Sequence, residues 1–462
     1  MPIDWSEGLN TAAHDIPEPS FARRLGPFDA TMIVMGGIIG AGIFVNPSVV
    51  ARQVHTPLLV LGAWLIGGLI ALIGAFVYAE LAVLRPRTGG QYAYLRDAYH
   101  PVVAFLYGWT LLLVVQTGGM AGAAIIFGRY FRELSGLAIP EQAVAALTLA
   151  VLTVINCLGI RAGSNVQSAL MVIKLGAIAL LIGVGWMIVA PAAELTTSFS
   201  ADVNGSAGTW KGLAAAMVPV LFAYGGWQTA TFVSGEMRNP RRDLPRGLFI
   251  GVAGVIVVYL LVTYVCLRAL GVAGLANTTT PASEVMRQAL GSRGAKIIAC
   301  GIAVSTVGFL SQSILTAPRV YYAMARDGVF FKAVGQLNPR TRVPVIAIVL
   351  QGVWAAIVAM TGRYEQILNY VVTIDVLFFG LTGASLLVFR ARARRDGTED
   401  AAGALVRVPW HPFTTWLFVL ACWGLAISTL VRFPQNAGIG VVILFIGVLV
   451  YRFWAAPRAT AD

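Results

Sequence analysis

The chain has 462 residues, of which 58% are hydrophobic and only 12% charged, and its mean hydropathy is +0.77. Soluble domains carry about 25% charged residues; in water this composition would leave far more apolar surface than a fold can bury, so a soluble enzyme or binding domain is excluded. The net charge of +12 would suit nucleic acid if it formed one face, but it falls in the joints between apolar runs and is a topology signal instead.

Residues 1–27 hold Asp4, Glu7, Asp15, Glu18 and four prolines, with no apolar core behind a basic start. This is not the pattern of a secretory leader, and the segment is expected to be a cytoplasmic tail. Twelve apolar segments follow, near 28–50, 57–84, 101–128, 142–160, 165–190, 212–235, 247–267, 297–318, 343–362, 366–389, 409–431 and 434–451. Each approaches the roughly 20 residues needed to cross a hydrocarbon core. With the first tail inside, cytoplasmic joints and tails hold 22 of the 33 Lys and Arg, the opposite side 10, and Lys174 lies within a segment. That asymmetry places both termini in the cytoplasm of a cell bounded by this inner or plasma membrane. The joints, among them 191–211 and 390–408, and the longest of them 268–296, leave no room for a soluble domain.

Two segments are interrupted. In the first, Gly36-Gly37-Ile38-Ile39-Gly40-Ala41-Gly42 places four glycines in seven residues; in the sixth, Pro219 precedes Phe222-Ala223-Tyr224-Gly225-Gly226-Trp227. The interruptions are five segments apart, and a five-helix unit repeated once enters the membrane from opposite sides. Paired breaks in corresponding helices are the sequence pointer to an inverted-repeat transporter. Unwound backbone at membrane depth survives only where it lines a cavity or binds something. The N–H groups of Ala41, Gly42 and Ile43 would begin a half-helix whose dipole favours an anion. The freed carbonyls of Ile38, Phe222 and Ala223 would suit an ammonium group, so a zwitterionic amino acid matches both ends.

These residues carry a resemblance. Gly37-Ile38-Ile39-Gly40-Ala41-Gly42-Ile43-Phe44 resembles the first-helix signature of the amino acid–polyamine–organocation superfamily. Tyr78-Ala79-Glu80-Leu81 with Pro86-Arg87-Thr88-Gly89-Gly90-Gln91-Tyr92 resembles its junction between helices two and three. Phe222 to Trp227, with Gly235-Glu236 and Asn239-Pro240, is similar to its sixth helix and the loop after it, and Pro318-Arg319 through Asp327-Gly328 to the end of its eighth. The match is nearest to the L-amino acid transporter branch and its bacterial members. It implies an all-α integral membrane fold of about twelve helices with a LeuT-like 5+5 inverted-repeat core, helices 1 and 6 discontinuous. The core would occupy 28–390, a cytoplasmic loop 391–408, and helices 11–12 with a short cytoplasmic end 409–462. It further implies a carboxylate site at Gly40, Ala41 and Gly42, an amino-group site on the carbonyls of Ile38, Phe222 and Gly225, and Phe222 as a gate. Ile39, Ala223 and Trp227 belong to the same two breaks and complete the expected substrate site. Many relatives carry Ser where this chain has Ala41, so only backbone N–H groups are left for the carboxylate.

Lys174 is about a third of the way along segment five, too deep to reach the interface easily, and a charge there is a functional hypothesis by default. Sodium-driven relatives hold a cation between helices one and eight; the resemblance implies that Lys174 takes that place, with Ser305 the helix-eight contact, and hence sodium independence. Lys174 as a permanent stand-in for sodium and Lys174 as a proton carrier both stay open, as do exchange and proton-coupled uptake. Among other charges, Asp29 is expected to cap segment one, Glu80 to pair with Arg85 or Arg87, and Asp375 to pin helix ten or serve coupling. Tyr259 could line the substrate cavity, though an aromatic packing role is favoured. Cys157, Cys266, Cys300 and Cys422 show no disulfide or metal spacing, and no cofactor is expected.

Membrane-embedded enzymes need clustered His, Asp, Glu, Ser or Cys; here His14, His55, His100 and His411 all lie in the tail or in loops. No charged ring or repeated pore loop suggests a channel. A cationic amino acid or polyamine permease is the alternative within transport, but segments one, three and six carry no acidic residue in their cores, which favours neutral substrates. Animal relatives join a glycoprotein through a cysteine between helices three and four. Residues 129–141 contain none, so no disulfide-linked heavy chain is expected.

Overall fold

The structure is a computed structural model that describes residues 25–85, 89–158, 163–192, 207–339, 341, 343–361, 363–397 and 406–455. The motif residues Pro86 to Thr88, the N-terminal tail to 24 and most of the long joints around 193–206 and 398–405 lie outside the described residues. Those described fold into helices: α1 (Pro27–Ile38), α2 (Asn46–Ala51), α3 (Pro57–Leu84), α4 (Gln91–Ala98), α5 (Pro101–Thr110), α6 (Gln116–Ser135), α7 (Glu141–Cys157), α8 (Gly163–Met187) and α9 (Ala207–Tyr224). After a 3-10 stretch (Trp227–Glu236) come α10 (Pro240–Asn277), α11 (Pro281–Thr316), α12 (Pro318–Arg326), α13 (Val345–Thr361), α14 (Tyr364–Arg395), α15 (Phe413–Arg432) and α16 (Pro434–Ala455). Seven helical stretches among the described residues are long and apolar enough to cross a membrane, and four shorter apolar helices accompany them.

The helix starts follow local chemistry. Proline opens α1, α3, α5, α10, α11 and α12, where its missing N–H would have had no partner. Asp29 accepts from the Gly26 N–H at 2.9 Å, which is the capping role expected of it. Thr56 caps α3 by accepting from Leu59 N–H. Several helices outrun their apolar runs: α10 begins at Pro240 rather than near 247, α9 at Ala207 inside the expected loop, and α14 continues to Arg395. Polar turns can extend a helix into the interface because hydropathy marks only the part inside hydrocarbon.

Leu, Ile and Val cover the outside of the bundle, whereas its interior holds the large aromatics Trp64, Tyr78, Tyr224, Trp227 and Tyr259. α1 packs on α10 and on the 3-10 stretch, and α8 packs on α11. One end of the bundle is pinned by ion pairs between remote segments. Glu80 receives both the Nε and Nη2 of Arg390, at 2.7 and 2.8 Å, together with the Val408 N–H at 2.7 Å. The expected partners of Glu80 are therefore replaced: Arg85 lies near Asp97 and over the Phe389 ring, and Arg87 is outside the described residues. At the same end Arg96 pairs with Asp327 and Arg319 with Glu236. All four cysteines are free, with Cys266 and Cys422 buried but Cys300 exposed.

Removing one partner of a buried ion pair costs about 3–5 kcal/mol because the other charge is stranded. Glu80→Gln is expected to lower the thermal unfolding midpoint of the detergent-solubilised protein clearly, whereas Glu284→Gln, in an exposed pair with Arg287, is expected to leave it nearly unchanged.

Candidate functional site

The first break is shorter than the glycine run suggests. Gly36 and Gly37 remain helical, α1 ends at Ile38, and the chain is unwound over Ile39–Ala41 before a 3-10 turn at Gly42–Phe44 leads into α2. Among the described residues no acceptor meets the N–H groups of Ala41, Gly42 and Ile43, as the sequence leads one to expect of a half-helix start. The carbonyls behave differently. Ile38 O accepts from Gly40 N–H at 2.8 Å and from the Tyr259 hydroxyl at 2.9 Å. The same hydroxyl lies 3.2 Å from Ala223 O. Tyr259 thus lies between the two breaks rather than only packing, its single hydroxyl proton shared between the Ile38 and Ala223 carbonyls.

The second break falls at Gly225 and Gly226, just after α9; Pro219 itself lies within the helix. Gly226 has φ +104°, a conformation that side chains disfavour. Its N–H donates to Gln228 Oε1 at 2.9 Å, and its carbonyl receives Thr229 N–H and Oγ1 at 3.1 and 2.7 Å. Phe222 O accepts from Gly225 N–H at 3.2 Å, whereas Gly225 O has no partner among the described residues. A Cβ on Gly37 would lie 2.7 Å from Gly226 O, and one on Gly226 would lie 2.1 Å from Gly37 O. Gly37 is therefore needed not for unwinding but for this backbone-to-backbone approach.

Between the breaks is a cavity of about 80 Å³, lined from the first by Ile38, Gly40, Ala41 and Gly42 and from the second by Phe222, Ala223 and Gly225. At roughly 10–15 Å³ per water-sized group, it holds a handful of heavy atoms. Two expected members are not on its wall. Ile39 is fully buried and its carbonyl accepts from Lys174 Nζ. Trp227 is wedged beneath the break between Tyr78 (4.7 Å, edge-on) and Phe379 (5.3 Å), which makes it packing. The wall also includes residues that sequence reasoning missed. Val115 closes a π turn over Leu111–Val115, a form frequent at functional sites, and Gln116 opens α6 directly after it. Phe309 lies 3.4 Å from where a Gly40 Cβ would be; Gln312 and Ser313 follow it on α11, and α14 contributes Val371 and Asp375. Gln116 stands out as a polar residue in an apolar run and could have been found that way; Phe309 and Val371 carry no such mark.

Lys174 is 2% exposed and donates to Ile39 O at the first break. Ser305 on α11 is fully buried, and its hydroxyl has no partner among the described residues. On one side of the cavity Phe222 meets Tyr364 edge-on at 6.2 Å, the Tyr364 hydroxyl donates to Asn46 Oδ1 at 2.8 Å, and Asn46 Nδ2 donates to Pro219 O at 2.8 Å. On the other, Arg319 bonds Glu236 at 3.1 Å. No cluster of His, Cys, Asp or Glu among the described residues could hold a metal.

Gly226→Ala is expected to fail. A β-carbon at positive φ costs about 1–2 kcal/mol even before the clash with Gly37 O. Size-exclusion chromatography of a fluorescent fusion should show little monodisperse protein, while Gly119→Ala, in open space, should elute as the parent does.

Comparison with known proteins agrees with this geometry. The family model described as "Amino acid permease" matches residues 25–451. The chain is 29% identical to the "Large neutral amino acids transporter small subunit 2" of Oryctolagus cuniculus, over 97% of this chain and 84% of that one. It is 29% identical to the "Serine/threonine exchanger SteT" of Bacillus subtilis (strain 168), over 93% and 96%. With the "b(0,+)-type amino acid transporter 1" of Oryctolagus cuniculus it shares 30% over 80% of this chain and 77% of the relative. These relatives are transporters, not enzymes, and this multi-pass membrane chain belongs to the amino acid permease family.

Proposed function

We propose that this permease is a sodium-independent exchanger of small or medium neutral L-amino acids, working by alternating access in the inner or plasma membrane with both termini in the cytoplasm. The observation that carries the reading is the pair of unlike poles on one small cavity. The unpartnered N–H groups of Ala41 and Gly42 on the cavity wall, with that of Ile43 behind them, face a substrate carboxylate at a half-helix start. The unpartnered Gly225 carbonyl offers an acceptor for the amino group. A zwitterion satisfies both, and the cavity volume of about 80 Å³ favours a small side chain.

Sodium independence is supported by Lys174. Its ammonium group rests on the Ile39 carbonyl, supplying at the first break the positive charge that a bound cation would bring, with Ser305 as the helix-eight neighbour in this reading. The interruptions of α1/α2 and α9/3-10 fit a 5+5 inverted repeat within about twelve spans. Phe222, tied to Tyr364 and Asn46, and the Glu236–Arg319 pair are suited to be the two gates. The absence of cysteine from 129–141 supports a carrier that works without a disulfide-linked heavy chain. The serine/threonine exchanger among the relatives favours exchange over proton-coupled uptake.

The test is uptake of labelled alanine, serine and leucine by purified protein in liposomes, in sodium-free buffer, with and without internal amino acid. Exchange predicts uptake only into loaded vesicles; uptake into empty vesicles that grows with an inward proton gradient would make the protein a symporter instead. Lys174→Ala is expected to cut uptake at least tenfold without loss of monodisperse protein, and wild-type rates would remove its coupling role. Gly42→Val pushes a branched side chain against Ala223 and Asn46, which a Cβ alone already approaches at 3.4 Å. It is expected to raise the half-saturating substrate concentration more than tenfold, and an unchanged value would sink the carboxylate pose.

A further inference from the structure

Asp375 is the only ionisable side chain among the described residues that line the cavity. Among those residues no hydrogen-bond donor and no cation reaches its carboxylate. Its Oδ2 lies 4.0 Å from the position a Cβ would take on Gly225, whose carbonyl has no partner among the described residues. The ionisable groups near enough to influence it are Tyr78, Tyr107 and Cys422, none of which supplies a positive charge. A carboxylate at membrane depth is expensive unless something pairs with it, and Asp375 faces the cavity, from which a cationic group can reach it.

The other candidate acceptors are already engaged. Ile38 O is bonded by the Gly40 N–H, Ile38 O and Ala223 O share the one Tyr259 hydroxyl proton, and Gly226 O is held by Thr229. A substrate ammonium group carries three donors, more than the Gly225 carbonyl alone can accept. The geometry points to Asp375 as a binding residue for the α-ammonium group of the amino acid, acting with Gly225 O, opposite the N–H groups of Ala41 to Ile43 that hold the carboxylate. The inference rests on the amino acid reading and deepens it: the charge that fixes the amino end comes from helix ten rather than from the breaks alone. The placement has a counterpart, since Lys174 follows Gly163 by eleven residues in α8 and Asp375 follows Tyr364 by eleven in α14. In the proposed repeat these are corresponding helices, each setting one charge beside one break.

The experiment compares wild-type, Asp375→Asn and Asp375→Glu proteins by inhibition of labelled serine exchange, using serine, alanine, lysine and the 2-hydroxy acid lactate. Wild-type exchange of serine tests the amino acid reading by itself; without it, that reading falls before Asp375 is in question. Given wild-type exchange, Asp375→Asn is expected to weaken serine, alanine and lysine alike by about ten- to hundredfold, the range for losing a hydrogen bond to a charged group. Lactate, which has no ammonium group, should lose little, and Asp375→Glu should recover part of the difference. Unchanged inhibition by serine and alanine, or a loss confined to lysine, would overturn the assignment. A second reading uses the wild-type protein alone: an apolar carbodiimide should label Asp375, as read by mass spectrometry, and serine but not lactate should protect it. Labelling of Asp375 that is indifferent to serine would also overturn the assignment, whatever the variants do.

Discussion

A backbone N–H or C=O left without a partner in hydrocarbon costs several kcal/mol, and the interior of this permease is arranged around that cost. Ordinary helices pay it internally. At the two unwound points the protein meets it group by group: Tyr259 spans the carbonyls on both sides, Gln228 and Thr229 close around Gly226, and Lys174 holds Ile39 O. What is left over is small and specific. On the cavity wall these are the N–H groups of Ala41 and Gly42 on one side and the Gly225 carbonyl and Asp375 on the other, the groups on which the proposed zwitterion site is built.

The same principle explains how much of the molecule is legible in its residues. Membrane class and the existence of the two interruptions follow from hydropathy and glycine spacing, because these are local properties of the chain. The depth of Lys174 is equally local. The correct use of each glycine is not: Gly37 has the same composition signal as Gly40, yet it is helical, and its purpose is visible only when Gly226 arrives from 189 positions away. Trp227 stands next to the break in sequence but under it in space. Glu80 has arginines five and seven positions ahead and takes Arg390 instead. Asp375 is the sharpest case. Segments one, three and six carry no acid in their cores, yet one enters the wall from segment ten.

The polar latches differ in kind on the two sides of the cavity. One is built from neutral groups, with Asn46 joining Pro219 O and the Tyr364 hydroxyl. The other is an ion pair between Arg319 and Glu236, near the Arg96–Asp327 and Glu80–Arg390 pairs. The ion pairs on that side are largely buried, so removing one partner strands a charge, whereas a net neutral hydrogen bond contributes about 0.5–1.5 kcal/mol.

The contact between Gly37 and Gly226 has a genetic corollary. A residue that is already the smallest cannot shrink to accommodate a neighbour that grows, so neither position has a local second-site suppressor at the other. Revertants of a lesion at Gly226 would have to arise where whole segments shift, in the residues that seat α1 against α10 or the 3-10 stretch against α3. Such shifts reshape the cavity between them. Selection for recovered transport should therefore yield clones whose choice of amino acid has changed along with their fitness.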